Sequence, residues 1–553
     1  MLSLLALLIV PALALGQEYM DAVLYLTGQT DAENLDEQVL ERFSHLHSSP
    51  LEINLAGRNE LVASGLFTMY QAASLLDYRS TSGDVLSFSE LAQIDGFGKE
   101  CAEALGPFCS LYSPLLPGQS GRPSIRTEAL LRGNAGTSSW GLGAKVRVSR
   151  NGCFDIGLSP RYKGGFTASA FASVTYRRGK VIVGDFSARF GQGLALWSGF
   201  TMSGAPAASS FSKRPSGISE SMSWSDASIR GIAADCSVGR HLVVSGFVSL
   251  PSLRPWMEKS KPFSWAVSGG GNISWYARHS CTGVSLYARD KGIRVAVDSR
   301  VTVKGTEIFA EGAWDGCFAF IAGAQARAGE STVSIAGRLY PGKFAGDMAA
   351  GMRSSTKTSD EAGIALAWSL GKYSVSADLY RKLSSDRKGI KAVAGAAWNP
   401  GRRNTLKARL SARIRNYAPK VRVDARMDWA HEREHFLVNA RLNLVKSSGY
   451  GLLGYLEPGV KAEKWHLWFR GTLFMADSWD DRIYCYERDA PGSFNVPAYY
   501  GRGYSVSLTG GCNLRFRRLR LRAYLRASHT GYPFMKEKKP GSTGLSIQLM
   551  CDI

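Results

Sequence analysis

The sequence predicts a mainly β chain, a large antiparallel transmembrane β-barrel of roughly 20–26 strands preceded by a small all-α domain. Three observations carry that prediction. Alternation of apolar and polar residues recurs from residue 125 to the end of the chain, in segments of about ten residues separated by turns. No uninterrupted apolar run of about 18 residues follows Gly16, which excludes spanning helices. The charge divides the chain: residues 1–115 hold four basic and fifteen acidic side chains, a net of −11, whereas the whole chain is +21.

The opening run Met1–Gly16 is apolar and ends in Ala14-Leu15-Gly16, as a secretory signal with a small-residue cleavage site does. It lacks a basic residue ahead of the apolar stretch, and no cysteine near its end offers a lipid anchor. Residues 17–112 then form the expected helical domain, exposed to the periplasm once the chain is exported. An amphipathic helix is expected over residues 33–48, with Leu35, Val39, Leu40, Phe43 and Leu46 on one face. Residues 49–110 supply a core of Leu61, Leu66, Leu75, Leu76, Leu91 and Ile94, cut into short helices by glycines. The Pro/Gly/Ser-rich stretch 113–124 reads as a linker.

Beyond it the period is two. Leu406, Ala408, Leu410, Ala412 and Ile414 share one face, against Lys407, Arg409, Ser411, Arg413 and Arg415 on the other. Val421, Val423, Ala425, Met427 and Trp429 oppose Arg422, Asp424, Arg426 and Asp428, and Leu519, Leu521, Ala523 and Leu525 oppose Arg520, Arg522, Tyr524 and Arg526. In a barrel the apolar face meets lipid and the charged face lines the interior. Trp429, Phe436 and Trp465 sit toward segment ends, as interfacial girdles require. The final alternating segment, Leu545 to Ile553, suits closure by a terminal strand. The candidate lumen cations are therefore Lys407, Arg409, Arg413, Arg415, Arg422, Arg426, Arg520, Arg522 and Arg526. Two readings of them stand: an ordinary polar lining whose charges pair with Asp424, Asp428 and Glu434, or a lumen selective for anions.

In Ile94-Asp95-Gly96-Phe97-Gly98-Lys99 the glycines permit a hairpin whose N–H groups open onto the next helix, an anion-binding geometry. Residues 49–105 resemble the tandem helix-hairpin-helix domains of competence-type DNA receptors. The carriers are Ile53-Asn54-Leu55 with Glu60-Leu61, Tyr78-Arg79 with Gly83 and Ser89-Glu90-Leu91, and Gly96-Phe97-Gly98. The first hairpin, Gly65-Leu66-Phe67, lacks the second glycine. The resemblance implies contact with duplex phosphates through Gly96, Phe97, Gly98 and Lys99. The net −11 of this region opposes that, since such affinity rests on cations, and favours a structural use or docking to a protein partner or to the basic barrel.

The whole chain resembles a family of Bacteroidota outer-membrane proteins in which a helix-hairpin-helix domain precedes a barrel. The carriers are Gly184-Asp185-Phe186, Phe190-Gly191-Gln192-Gly193-Leu194 with Leu196-Trp197, and Tyr484 to Arg488 through Pro497 to Gly501. The glycines of the second motif suit either a strand bend or a loop folded into the lumen. His431-Glu432-Arg433-Glu434-His435 satisfies two zinc-protease spacings, but those need a helix and the string falls where a hairpin turn belongs. Gly449 to Gly454 matches a dinucleotide fingerprint without its βαβ unit. Cys101 and Cys109 either pair or serve as small core residues. No catalytic set, metal site or cofactor site is expected. The expected partners are outer-membrane lipid and a polyanion such as DNA, or a periplasmic or outer-membrane protein.

Overall fold

The computed structural model describes residues 17–113 and 125–553, apart from 30–31, 36, 138, 151–152, 177, 200–206, 225–227, 240, 250–266, 278, 290–291, 345–347, 356, 518 and 536–538. The expected leader at 1–16 and nearly all of the linker lie outside the described residues. No helix among those described is long and apolar enough to cross a membrane.

The N-terminal domain contains helices α1 (Gln17–Thr27), α2 (Glu37–Ser48), α3 (Arg58–Ala63), α4 (Met69–Ser82), α5 (Phe88–Leu91) and α6 (Lys99–Leu105). The helix expected from residue 33 begins later, after a 3-10 turn at Ala32–Asn34. Thr68 starts α4 with a capping box: its hydroxyl accepts from Gln71 N while the Gln71 side chain accepts from Thr68 N. Ser87 caps α5 in the same sense by accepting from Glu90 N. Phe43, Ile53, Leu61, Leu66, Leu75, Leu91, Phe97, Leu105 and Phe108 close the core. Leu51–Glu52 and Cys109–Ser110 pair in parallel and tie the start of this core to its end.

Among the described residues 24 further strands close into an antiparallel barrel, and the short strands Gly217–Glu220, Ile483–Tyr484 and Ala498–Tyr499 lie outside its wall. The last, Ser542–Asp552, pairs with the first, Arg126–Gly136, in the register Asp552↔Glu128 to Gly544↔Gly136. Closure leaves no strand edge unpaired, the condition for a sheet in lipid. The outward face is the apolar set of the sequence pattern: Leu410, Ile414, Met427, Leu442 and Leu525 are exposed there. Outward aromatics form two belts, Trp140, Tyr162, Phe166, Trp314, Phe318 and Tyr450 at one end and Trp275, Trp398, Trp429, Phe436, Trp465 and Phe516 at the other. Such a belt-bounded apolar band fits an outer membrane.

The second end carries short turns, and the helical domain sits there. The first end carries longer connections. One of them begins at a bend in the strand Gly179–Arg189. Its first part pairs with Ile229–Val238, and its last residues leave the wall to pair with the short strand Gly217–Glu220. Gly184 makes the bend with φ +108°, and a Cβ there would lie 2.2 Å from the Ala170 carbonyl oxygen. Asp185 fixes it, accepting from Ala170 N at 2.9 Å and Arg230 Nη2 at 2.6 Å.

Candidate functional site in the barrel lumen

The predicted lumen cations do point inward, and most are engaged by groups of the same chain. Lys407 lies 3.2 Å from Asp21 of α1. Arg426 holds Asp428 at 2.8 Å and Glu33 at 3.4 Å. Arg422 donates to the carbonyls of Asp480 and Arg482 and lies 3.7 Å from Asp424. Arg522 pairs with Asp552 at 2.6 Å, Arg526 pairs with Glu487, and Arg415 lies 5.1 Å from the Tyr417 ring. Arg409 faces Arg426 across the ladder, Arg413 faces Arg422, and Arg520 faces Asp552. Like charges directly opposite one another oppose strand pairing, so this arc keeps a positive surplus that the ladder alone does not neutralise.

The acidic domain supplies part of the missing negative charge from inside the mouth. Glu41 of α2 binds Lys145, His45 lies 3.0 Å from Glu128, and Glu52 lies 3.5 Å from Arg126. All three wall residues point inward, and Lys145 is at mid-strand. Arg58 of α3 covers the Tyr276 ring at 5.3 Å, and the Tyr70 ring meets His279 at 5.9 Å on the short-turn rim. Glu33 is the deepest anchor. It accepts from Arg441 Nη1 at 2.5 Å and from Tyr486 N at 3.1 Å. Burial opposes its charge, but Arg441 and Arg426 hold the carboxyl down at about 2.

From the opposite end two connections descend to meet the domain. In the first, Gly191 and Gly193 take φ +59° and +84°, turning the N–H groups of Gln192, Leu194 and Ala195 to one side, while Gly193 N donates to Phe190 O. The Glu311 carboxylate fills that concavity, accepting from Gln192 N at 2.5 Å, Leu194 N at 3.1 Å and Ala195 N at 3.2 Å. Arg300 donates to Gly191 O at 3.0 Å, and Ala350 N donates to Gly193 O at 2.7 Å. This half of the lumen adds an apolar cluster to its buried charges: Phe186, Leu194, Leu196, Phe211, Phe309, Ile321, Tyr340 and Phe344 pack together in its interior, beside Arg338 paired with Glu361 and Asp378. Lys213 donates to Ala350 O beside the Trp197 ring, and burial with the nearby Arg353 pulls its ammonium down to about 7. The tip reaches the domain, where Arg214 donates to Leu26 O at 2.6 Å.

The second connection, 477–500, crosses the basic arc. Arg470 donates to Tyr486 O at 2.8 Å, Arg488 lies 3.8 Å from the Trp468 ring, and Gln548 donates to Pro491 O at 3.1 Å. Of the three motifs that carry the family resemblance, Gly184-Asp185-Phe186 lies in the strand Gly179–Arg189 and the other two lie in the in-folded segments, Phe190–Trp197 as a loop in the lumen. A cavity of 690 Å³ lies between the domain and the wall, bounded by Glu41, Glu52, Arg147, Lys180, Glu220 and Gly492 among others.

The candidate hairpin buries its phenylalanine and exposes its lysine. Phe97 is buried against Phe67, with ring centroids 6.0 Å apart. Gly96 and Gly98 adopt φ +87° and +75°, and Gly98 precedes α6. Lys99 is 86% exposed, 3.9 Å from Glu103, with Asp95 and Glu100 exposed beside it. The zinc-protease spacing is carried by a strand running to Arg433 and a turn, where His431 faces Asn404 and His435 faces Lys461 O. Among the described residues no cluster suits a metal ion. The string Gly449 to Gly454 likewise lacks a βαβ setting: Tyr450–Lys461 is a barrel strand. Cys101 and Cys109 are buried free thiols.

No family model matches the sequence, and no curated protein does. Solved structures overlap the barrel. The chain aligns with the P pilus usher (PapC) translocation pore over 77% of its length and 99% of that chain, at 8% identity and a TM-score of 0.38. The ferric-catecholate import receptor Fiu of E. coli K12 aligns over 78% and 82% of the two chains, at 8% identity and 0.37. The copper transporter OprC aligns over 78% and 80%, at 9% identity and 0.38. Likeness at this level does not extend to cargo.

Proposed function

We propose that the chain is a non-enzymatic outer-membrane barrel that passes an anionic substrate and is held shut by its own acidic domain and two in-folded segments. One observation carries this: Asp21, Glu33 and Glu41 of the domain sit on the inward cations Lys407, Arg426 with Arg441, and Lys145. Each carboxylate occupies a place that an anion in transit would take, and each contact is lost when the domain withdraws. Short turns face the periplasm in such barrels, and their presence at the domain's end supports a periplasmic helical domain of helix-hairpin-helix type. DNA belongs to the same class of cargo. Asp95, Glu100 and Glu103 around Lys99 oppose a phosphate backbone at the hairpin, so the proposed polyanion contacts are Arg409, Arg413, Arg422, Arg520 and their lumen neighbours.

Liposome swelling with the purified full chain tests the reading. The Asp21→Asn/Glu33→Gln/Glu41→Gln variant is expected to admit sugar acids faster than neutral sugars of equal size, and wild type to admit both slowly. No flux through either protein, or a preference for cations, contradicts it. A second reading, a scaffold docked through the domain, is favoured by the outward acidic face at Asp95, Glu100 and Glu103. Retention of an envelope protein by the full chain, lost on reversing those charges, would select it.

A further inference from the structure

The Glu33 contact is built unlike the other domain contacts. Arg426 and Arg441 lie on adjacent strands, and each uses its Nε to bind the wall residue Asp428, at 2.8 and 2.5 Å. Asp428 and Arg441 are directly opposite in the ladder. One carboxylate of the wall therefore fixes both guanidinium planes, and each turns its Nη1 into the lumen toward the same point. Tyr486 N, from the connection 477–500, aims at that point as a third donor. Glu33 fills it with 12% of its side chain exposed. Two guanidinium forks and a backbone N–H, preset by a wall residue that does not move with the domain, are a carboxylate site in their own right. They belong wholly to the barrel, whereas their present occupant belongs to the domain.

We propose that Arg426, Arg441 and Tyr486 N form a ligand site for a carboxylate group, and that the ligand and Glu33 exclude one another. This rests on the passage reading only for its purpose, since it names the group of the substrate that would release the domain. An incoming carboxylate takes the two Nη1 atoms and the Tyr486 N–H, and Glu33 leaves with the helical domain. Binding to the undocked state alone shifts the docking equilibrium by mass action.

The test reads docking, not flux. Trypsin cleavage of the full-length protein after Arg58, which covers the Tyr276 ring in the docked state, reports withdrawal of the domain. Acetate is the probe, compared with chloride at equal ionic strength. In wild type acetate is expected to speed cleavage several-fold by competing with Glu33. In Glu33→Ala the site is vacated, and acetate is expected to slow cleavage by satisfying two buried arginines beneath a docked domain. The opposite signs are the signature. Arg441→Gln should abolish both effects, and Glu33→Gln, whose amide fills the space, should show no protection by acetate. Equal behaviour of acetate and chloride in wild type, or an acetate effect that survives Arg441→Gln, overturns the proposal. The wild-type arm decides even if Glu33→Ala does not assemble. A barrel that conducts nothing would sink the passage reading and leave this result intact.

Discussion

Replacing Glu311 by alanine should unseat the connection that follows the strand Gly179–Arg189 without melting the barrel. The Glu311 side chain lies in a site with 2% residual exposure and accepts from Gln192 N, Leu194 N and Ala195 N. Alanine leaves three buried donors without an acceptor, at about 1–3 kcal/mol each, or roughly 3–9 kcal/mol together. Relief of the buried carboxylate offsets several kcal/mol of that sum. A net loss of about 3 kcal/mol raises the open fraction of the segment about a hundredfold. The ladder partners of 306–314 use backbone groups that the substitution does not touch. Hydrogen exchange followed by mass spectrometry separates the two effects. Peptides covering 190–198 should exchange about a hundredfold faster, and those covering 306–314 should keep their protection. Unchanged protection at 190–198 would refute the assignment of Glu311 as the group that seats this segment.

Other outcomes follow from the same geometry. Glu33 has its carboxyl held at about 2 against an ordinary 4.5, so its contribution to docking is complete above about 4.5 and is lost only as pH falls through about 2; tryptic protection of the domain should therefore hold from pH 7 down to 4 wherever Glu33 dominates. For Lys213, lowered from 10.5 to about 7, the unseated state binds more protons between those values, so seating should strengthen as pH rises from 7 toward 10. Exchange at 208–216 measures this, and Lys213→Met should flatten the dependence. Gly184→Ala places a Cβ 2.2 Å from a carbonyl oxygen at φ +108° and should reduce the folded, heat-modifiable barrel on gels. In a mobility-shift assay at low salt, a duplex shift abolished by Lys99→Glu would move the polyanion contact from the lumen to the hairpin.

The barrel was legible in the sequence because its two faces repeat with period two: Leu410 and Ile414 face lipid and Lys407 and Arg413 face inward, as read. Strand number was open because alternation does not count turns sharply, and the split strand at Gly184 interrupts it. The opposed charges of the two regions were also visible, with docking of the acidic region to the basic barrel among the uses they favoured, but not which side chains meet. Glu33 and Asp428 lie far apart in sequence, and only closure of the barrel around the domain brings them to the same two arginines. Glu311 carried a faint signal, an acid among the interior residues Phe309 and Ala313. Its partners are backbone amides, which leave no trace in residue type. The apolar packing inside the barrel was not legible either: interior alanines such as Ala313, Ala319, Ala336 and Ala365 make room for a plug, and residue type alone does not show that.

In the proposed function the acidic domain closes a basic lumen by charge pairing. Planar-bilayer recording of the full-length protein beside its Asp21→Lys/Glu33→Lys/Glu41→Lys variant tests this directly. The expected result is a nearly silent wild type and a conducting variant whose reversal potential in a salt gradient shows anion preference. A wild type that conducts steadily, a variant that stays closed, or a cation-selective pore would contradict it.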